Sequence, residues 1–370
     1  MLLFSKIAFP PTPIVCLSFH WPRDRLIPFP LQPLPPTRQP SELTRSRMPN
    51  SPAFLTCILG FATLLASLTC HGQSSPTPGV PEKVIIDTDI GDDVDDAFAL
   101  ALALRSPELQ ILGVTTTFGD TETRAKLVDR FLAEAGRPDI PVAAGAPTPV
   151  KGTFTQLRYA EGGRVAKPSH PDAVGFFLEQ IRRYPGQVTL IAIGPLMNVG
   201  AAIDKDPATF RKLKRVVIMG GSIKRGYGDL GYTTPRPPQP EWNILNDIPS
   251  AQKLFASGVP LFVMPLDSTQ LKLDEAKRAF LFSQGTPLTD ALTLLYHQWG
   301  QETPTLFDPM TIAFLVNPSL CPVQPMHIRV DEKGFTRPES GPPNAQVCLD
   351  SSPDAFFRFL LPRLALPRLP

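Results

Sequence analysis

Net charge is nearly absent from this 370-residue chain: 36 lysines and arginines against 34 aspartates and glutamates leave +2. That balance gives no electrostatic case for a nucleic-acid partner. Cysteine is scarce, five in all, and Cys16, Cys57 and Cys70 fall in the first seventy residues. No CxxC pair or Cys/His cluster argues for zinc. The sequence leaves open whether Cys321 and Cys348 pair. Histidine is equally thin: beyond residue 83 only His170, His297 and His327 occur. A metal phosphoesterase, which also clusters aspartates, would bring histidine ligands or a two-metal spacing, so it ranks last. Repeats of 20–50 residues are missing too, which excludes a solenoid or propeller.

The amino-terminal part is of a different composition. Residues 1–50 are crowded with proline and show no usable periodicity, so they bury too little apolar surface to fold. An apolar run from Phe54 to Leu68 follows Arg45 and Arg47 and precedes Thr69-Cys70-His71-Gly72. That is the layout of a secretory signal peptide, and the run is short for a membrane span. Met48 is the expected start, residues 1–47 being a disordered or over-called upstream extension. Residues 48–72 are then a signal peptide cleaved near Gly72, residues 73–82 a linker, and 83–370 one domain. The product is exported, to a periplasm or the cell exterior. Ser67-Leu68-Thr69 fits a lipobox poorly, which disfavours a lipid anchor at Cys70.

The domain is organised around one stretch. Val84-Ile85-Ile86 runs into Asp87, Asp89, Asp92, Asp93, Asp95 and Asp96, and Ala97 to Leu104 are mostly strong helix formers. The pattern predicts strand, loop and helix, with Asp95 and Asp96 in a first helical turn where negative charge is favoured. No lysine or arginine lies between Lys83 and Arg105. Carboxylates packed this closely repel unless something positive lies between them. A hard divalent cation, Ca2+ or Mg2+, solves the problem. A solvated acidic loop is the plainer alternative, but this run follows a strand, and open α/β sheets bind ligands at their strands' carboxyl ends. A helix-loop-helix calcium site fails because Gly91 arrives one residue early. An aspartyl-phosphate loop fails because Gly91 takes the place of its Thr or Val.

Strand and helix patterns alternate further on, with strands at 109–116, 140–144, 188–192, 215–219 and 259–264. This predicts an α/β fold: a doubly wound, mostly parallel sheet with helices on both faces, Rossmann-like at its core. The long Gly/Pro-rich loop 222–240 is marked as functional or mobile by its length. Two late strands, 326–330 and 345–349, and a last helix, 352–361, complete the domain.

Asp87-Thr88-Asp89, Gly91 and Asp95-Asp96-Ala97 resemble the amino-terminal signature of the inosine/uridine-preferring nucleoside hydrolases, Asp-x-Asp-Pro-Gly-x-Asp-Asp-Ala, with Ile90 for the proline and two extra residues. Ile193-Gly194-Pro195-Leu196-Met197-Asn198 resembles that family's Thr-Gly-Pro-Leu-Thr-Asn turn, Glu241-x-Asn243 its Glu-Phe-Asn, and Phe307-Asp308-Pro309 its late His-Asp-Pro. The matches span residues 83–361 in order. The resemblance implies calcium-dependent hydrolysis of a nucleoside's N-glycosidic bond. Asp89 would be metal ligand and general base; Asp96, Asp308 and the Ile193 carbonyl would complete the ligands. Asp95 and Asp120 would contact ribose, Glu241 and Asn243 would hold its 5′-hydroxyl, and Asp87 would orient its neighbours. Homodimers or homotetramers are common in such a family.

Three departures bear on the substrate. Phe307 stands where many relatives carry a histidine acid, Asp120 where an asparagine is usual, and no His-Gly occurs near Tyr159-Ala160-Glu161-Gly162. Help for the leaving base must come from elsewhere: His297, with Tyr296 and Trp299, is the candidate, or Phe307 stacks on the base. Asp267 is a further candidate polar contact. The alternative function is a ribosyl-binding protein that keeps the metal site without turnover.

Overall fold

The computed structural model describes residues 80–149, 153–162 and 169–366. The expected upstream extension, signal peptide and residues 73–79 of the linker lie outside them. Eleven strands are present among the described residues: β1 Glu82–Thr88, β2 Leu109–Thr116, β3 Val142–Ala144, β4 Val188–Ala192, β5 Arg215–Met219, β6 Leu261–Met264, β7 Leu271–Lys272, β8 Thr305–Leu306, β9 Val323–Val330, β10 Thr336–Glu339 and β11 Ala345–Cys348. Nine of them form one sheet in the order β10-β9-β11-β6-β5-β4-β1-β2-β3. From β11 to β3 every pairing is parallel, while β9 and β10 extend the edge antiparallel. The α/β expectation holds.

Alternation along the strands divides the core. Val84, Ile86, Ile191 and Val217 pack under α1 (Asp95–Leu104), α2 (Thr121–Glu134) and the helices Pro287–Trp299, Pro309–Val316 and Pro353–Ala365. Ile85, Leu190, Val216 and Ile218 face the other way, against the helices Ala173–Arg183, Met197–Lys205 and Ile248–Phe255. Strands buried on both faces explain the unbroken apolar runs in the sequence.

Several boundaries differ from expectation. Glu82, read as linker, opens β1: it pairs with Leu109, and its carboxylate meets Arg215 at 2.7 Å and Lys214 at 2.9 Å. The strands expected from 140 and 259 start two residues later, after Pro141 and Pro260, which have no N–H for the ladder. Unexpected β10 contains Pro338, tolerated because the strand is at the edge.

Winding proceeds from β1 to β3 in one direction and from β4 to β6 in the other. The carboxyl ends of β1 and β4 therefore border the crevice where strand order reverses, the usual ligand site of such sheets. A separate two-stranded ribbon, β7 with β8, delivers Phe307 and Asp308 to the same place.

Candidate active site

A cleft of about 220 Å³ opens at that crevice. It is lined by Asp89, Asp92, Asp93, Asp95 and Asp96 after β1, Ile193 after β4, Met219 of β5, Tyr227, Glu241, Trp242 and Asn243 from the next connection, and Phe307 and Asp308 after β8.

The six clustered aspartates divide into distinct tasks. Asp87 is fully buried and turned inward: Thr115 Oγ1 and Asn198 Nδ2 donate to its Oδ1 at 2.7 and 2.8 Å, and burial pushes its carboxyl up to about 7. Asp92 takes a hydrogen bond from Arg124 Nη2 at 2.8 Å, and Asp93 one from the Val94 N–H at 2.6 Å. All but Asp87 line the cleft, and Asp89, Asp95 and Asp96 are the buried ones among them. The expectation that the chain supplies no counter-charge is corrected, for Arg124 reaches the loop from α2.

Asp95 and Asp96 open α1, and Asp308 stands before the helix Pro309–Val316. All three are 3–4% exposed, and each offers one oxygen such that the three oxygens lie within 4.8 Å of one another. A helix cap is the plain role for an aspartate before proline, but the Asp308 side chain makes no capping bond. Asp95 Oδ2 accepts from the Phe307 and Asp308 N–H groups at 3.2 and 3.4 Å, and Thr88 Oγ1 donates to Asp96. Burial first, then the charges of neighbouring aspartates (Asp93 and Asp89 on Asp95, Asp89 and Asp95 on Asp96, Asp95 and Asp96 on Asp308), drives all three carboxyls well above the usual range. A buried all-oxygen trio that cannot ionise comfortably alone fits a hard divalent cation.

Asp89 lines the cleft beside that trio, and its charge is among those that raise the carboxyls of Asp95, Asp96 and Asp308. Burial pushes its carboxyl up to about 6 against the opposing charge of Arg124. Gly194 allows its approach: a Cβ there would lie 2.8 Å from Asp89 N and 2.9 Å from its Oδ1. The Ile193 carbonyl accepts from Asn243 Nδ2 at 3.1 Å, keeping one lone pair for another partner. Asn243 Nδ2 also reaches the Met219 carbonyl at 3.0 Å, tying β4 to β5. Glu241 caps the short helix Trp242–Leu245 and takes the Gly221 N–H, and burial raises it to about 7.

Three expected residues fall elsewhere. Asp120 is exposed and caps α2, accepting from Thr123 N at 3.0 Å and Thr123 Oγ1 at 2.7 Å, and it is not among the residues that line the cleft. His297 is exposed on the helix Pro287–Trp299, whose inner face is Leu288, Leu292, Leu295 and Trp299; it does not line the cleft. Asp267 serves the loop, accepting from Ile223 N and Lys224 N at 2.9 and 2.7 Å. Phe307 does line the cleft. Sequence reasoning missed Arg124, Met219, Tyr227 and Trp242. Tyr227 had a signal in the length of its loop, and Trp242 in its place between Glu241 and Asn243; Arg124 looked like any helix charge.

Residues 84–358 match the family model for inosine-uridine preferring nucleoside hydrolase. Uridine nucleosidase 1 of Arabidopsis thaliana is 33% identical over 290 residues, covering 72% of this chain and 84% of its own. The pyrimidine-specific ribonucleoside hydrolase RihA of Citrobacter koseri is 32% identical over 319 residues, covering 76% and 97%. Among solved structures, the plant nucleoside hydrolase PpNRh1 aligns with a TM-score of 0.68 at 27% identity, covering 78% of this chain and all of its own.

Proposed function

Because the chain belongs to the inosine-uridine preferring nucleoside hydrolase family, we propose that it hydrolyses the N-glycosidic bond of ribonucleosides, releasing free base and ribose, with calcium as cofactor. The observation that carries the calcium is the buried Asp95, Asp96 and Asp308 trio. These three, with the Ile193 carbonyl, would hold the ion. When bound, it would supply the positive charge that keeps the carboxylates ionised and acidifies water beside it.

The remaining steps fall to the chain's own groups. Asp89 takes the proton from the attacking water, a role suited to a carboxylate whose affinity for protons burial has raised. The developing oxocarbenium charge on the sugar is met by the carboxylates that line the cleft. Glu241 and Asn243 hold the sugar at the β5 side. Among the described residues no histidine lines the cleft, so the base departs against the ring of Phe307.

We also propose export, with residues 48–72 as the signal peptide. The Cys321–Cys348 disulfide supports it, since such bonds persist in oxidising compartments. No helix among the described residues is long and apolar enough to cross a membrane. The test is a nucleoside panel with base release followed by absorbance, on protein beginning near Ser74. Turnover that Asp89→Asn and chelation both abolish is expected; tight binding without cleavage would favour the ribosyl-binding alternative.

A further inference from the structure

Tyr227 belongs to the long loop 222–240, yet its position is fixed. Gln270 grips the backbone on both sides of it, accepting from Gly228 N at 2.6 Å and donating to the Gly226 carbonyl at 3.1 Å. Gly226 N also donates to the Arg236 carbonyl at 3.0 Å, and a Cβ on Gly226 would lie 2.2 Å from the Pro237 oxygen. So held, the Tyr227 ring stands edge-on to Phe307, centroids 6.2 Å apart, and its hydroxyl accepts the Trp242 N–H at 2.9 Å. A phenol that accepts one hydrogen bond still has its own proton to give. Among the described residues, no acceptor takes it. Burial and the nearby charge of Glu241 keep the phenol protonated.

Ribose carries a vicinal pair of hydroxyls and one isolated hydroxyl, on C5′. Only the vicinal pair can engage several carboxylates together, which assigns it to Asp95, Asp96 and Asp308. The isolated hydroxyl is then left for the other polar groups of the cleft lining, Glu241 and the Tyr227 hydroxyl, which meet at Trp242: Tyr227 takes its N–H and Glu241 caps the helix that it opens. Among the described residues Glu241 Oε1 accepts only the Asn243 N–H, at 2.9 Å, and Tyr227 offers a donor. A group that both donates and accepts is matched by one of each.

We propose that Tyr227 is a substrate-positioning residue whose hydroxyl donates a hydrogen bond to the 5′-oxygen of a bound ribonucleoside. The proposal rests on the ribonucleoside function inferred above. Its test is kcat/KM of wild type and Tyr227→Phe on uridine and inosine, each beside its 5′-deoxy counterpart, with thermal midpoints measured in parallel. Wild type should prefer the 5′-hydroxylated substrate by about 10- to 100-fold. The Y227F protein should keep its thermal midpoint and lose that preference, falling on the hydroxylated substrate while hardly changing on the deoxy one. An unchanged preference, or an equal loss on both substrates, would overturn the proposal and leave the nucleoside function standing. A wild-type protein that releases base from no nucleoside would overturn both.

Discussion

Arg124 Nη2 lies 2.8 Å from Asp92 Oδ2, joining a side chain of α2 that is 2% exposed to one 28% exposed in the loop that follows β1. The same guanidinium donates to the Phe118 carbonyl at 2.8 Å, the Ile90 carbonyl at 2.9 Å and the Asp89 carbonyl. It therefore fixes the backbone that aims Asp89. Phe118 is held at φ 62°, a conformation few bulky residues adopt, with its carbonyl on Arg124 and its ring against Trp242.

Arg124→Ala should lower stability by about 2–4 kcal/mol, since it strands buried carbonyls and an aspartate. It should cut kcat by about 10- to 100-fold. Arg124→Lys keeps the charge without the planar fork and should fall between the two. Thermal melts and steady-state kinetics check this; an active, fully stable R124A protein would refute it.

Asp96→Asn and Asp308→Asn each take the negative charge from one of three converging oxygen ligands. Calorimetric calcium affinity should drop at least tenfold in each, whereas Asp120→Asn should leave it unchanged. Equal affinity in all three variants would exclude the trio as the ion's seat.

How much of this was legible follows from range along the chain. The strands at 109–116, 188–192 and 215–219 were read to the residue because both-face burial leaves long apolar runs. The aspartate loop was read because its chemistry is local. The Asp120 and His297 expectations came from neighbouring positions, and those were decided by a helix cap and by a helix's inner face. Arg124 could not be read at all: its partners lie 6 to 35 residues away, and only the folded β1 and β2 ends bring them together.

His170 lies between two acids, Nδ1 at 2.7 Å from Glu122 and Nε2 at 2.9 Å from Asp129. The Asp129 bond is the main cause that raises its pKa, aided by Glu122. A raised folded value stabilises below the ordinary imidazole pKa of about 6.5 and is lost as pH rises through the raised value. His170→Ala should cost about 1–2 kcal/mol at pH near 6, and the gap to wild type should narrow on the alkaline side. A gap independent of pH in denaturant melts would contradict this.

Cys321 and Cys348 close a span with a sequence separation of 27 residues between the end of the helix Pro309–Val316 region and β11. Chain-entropy reasoning gives a bond of this span about 3–4 kcal/mol. Cys321→Ser, or added reductant, should lower the thermal midpoint, and alkylation followed by mass analysis should find neither thiol free in unreduced protein. Two freely alkylated thiols in freshly exported protein would count against both the pairing and the proposed compartment.

The most direct measurement is base release from a cleavable nucleoside by protein stripped with a chelator, then resupplied with calcium. Hydrolysis should vanish on stripping and return with the ion in wild type, and calcium should fail to restore it in Asp308→Asn. Undiminished hydrolysis by metal-free protein would contradict the account at its centre.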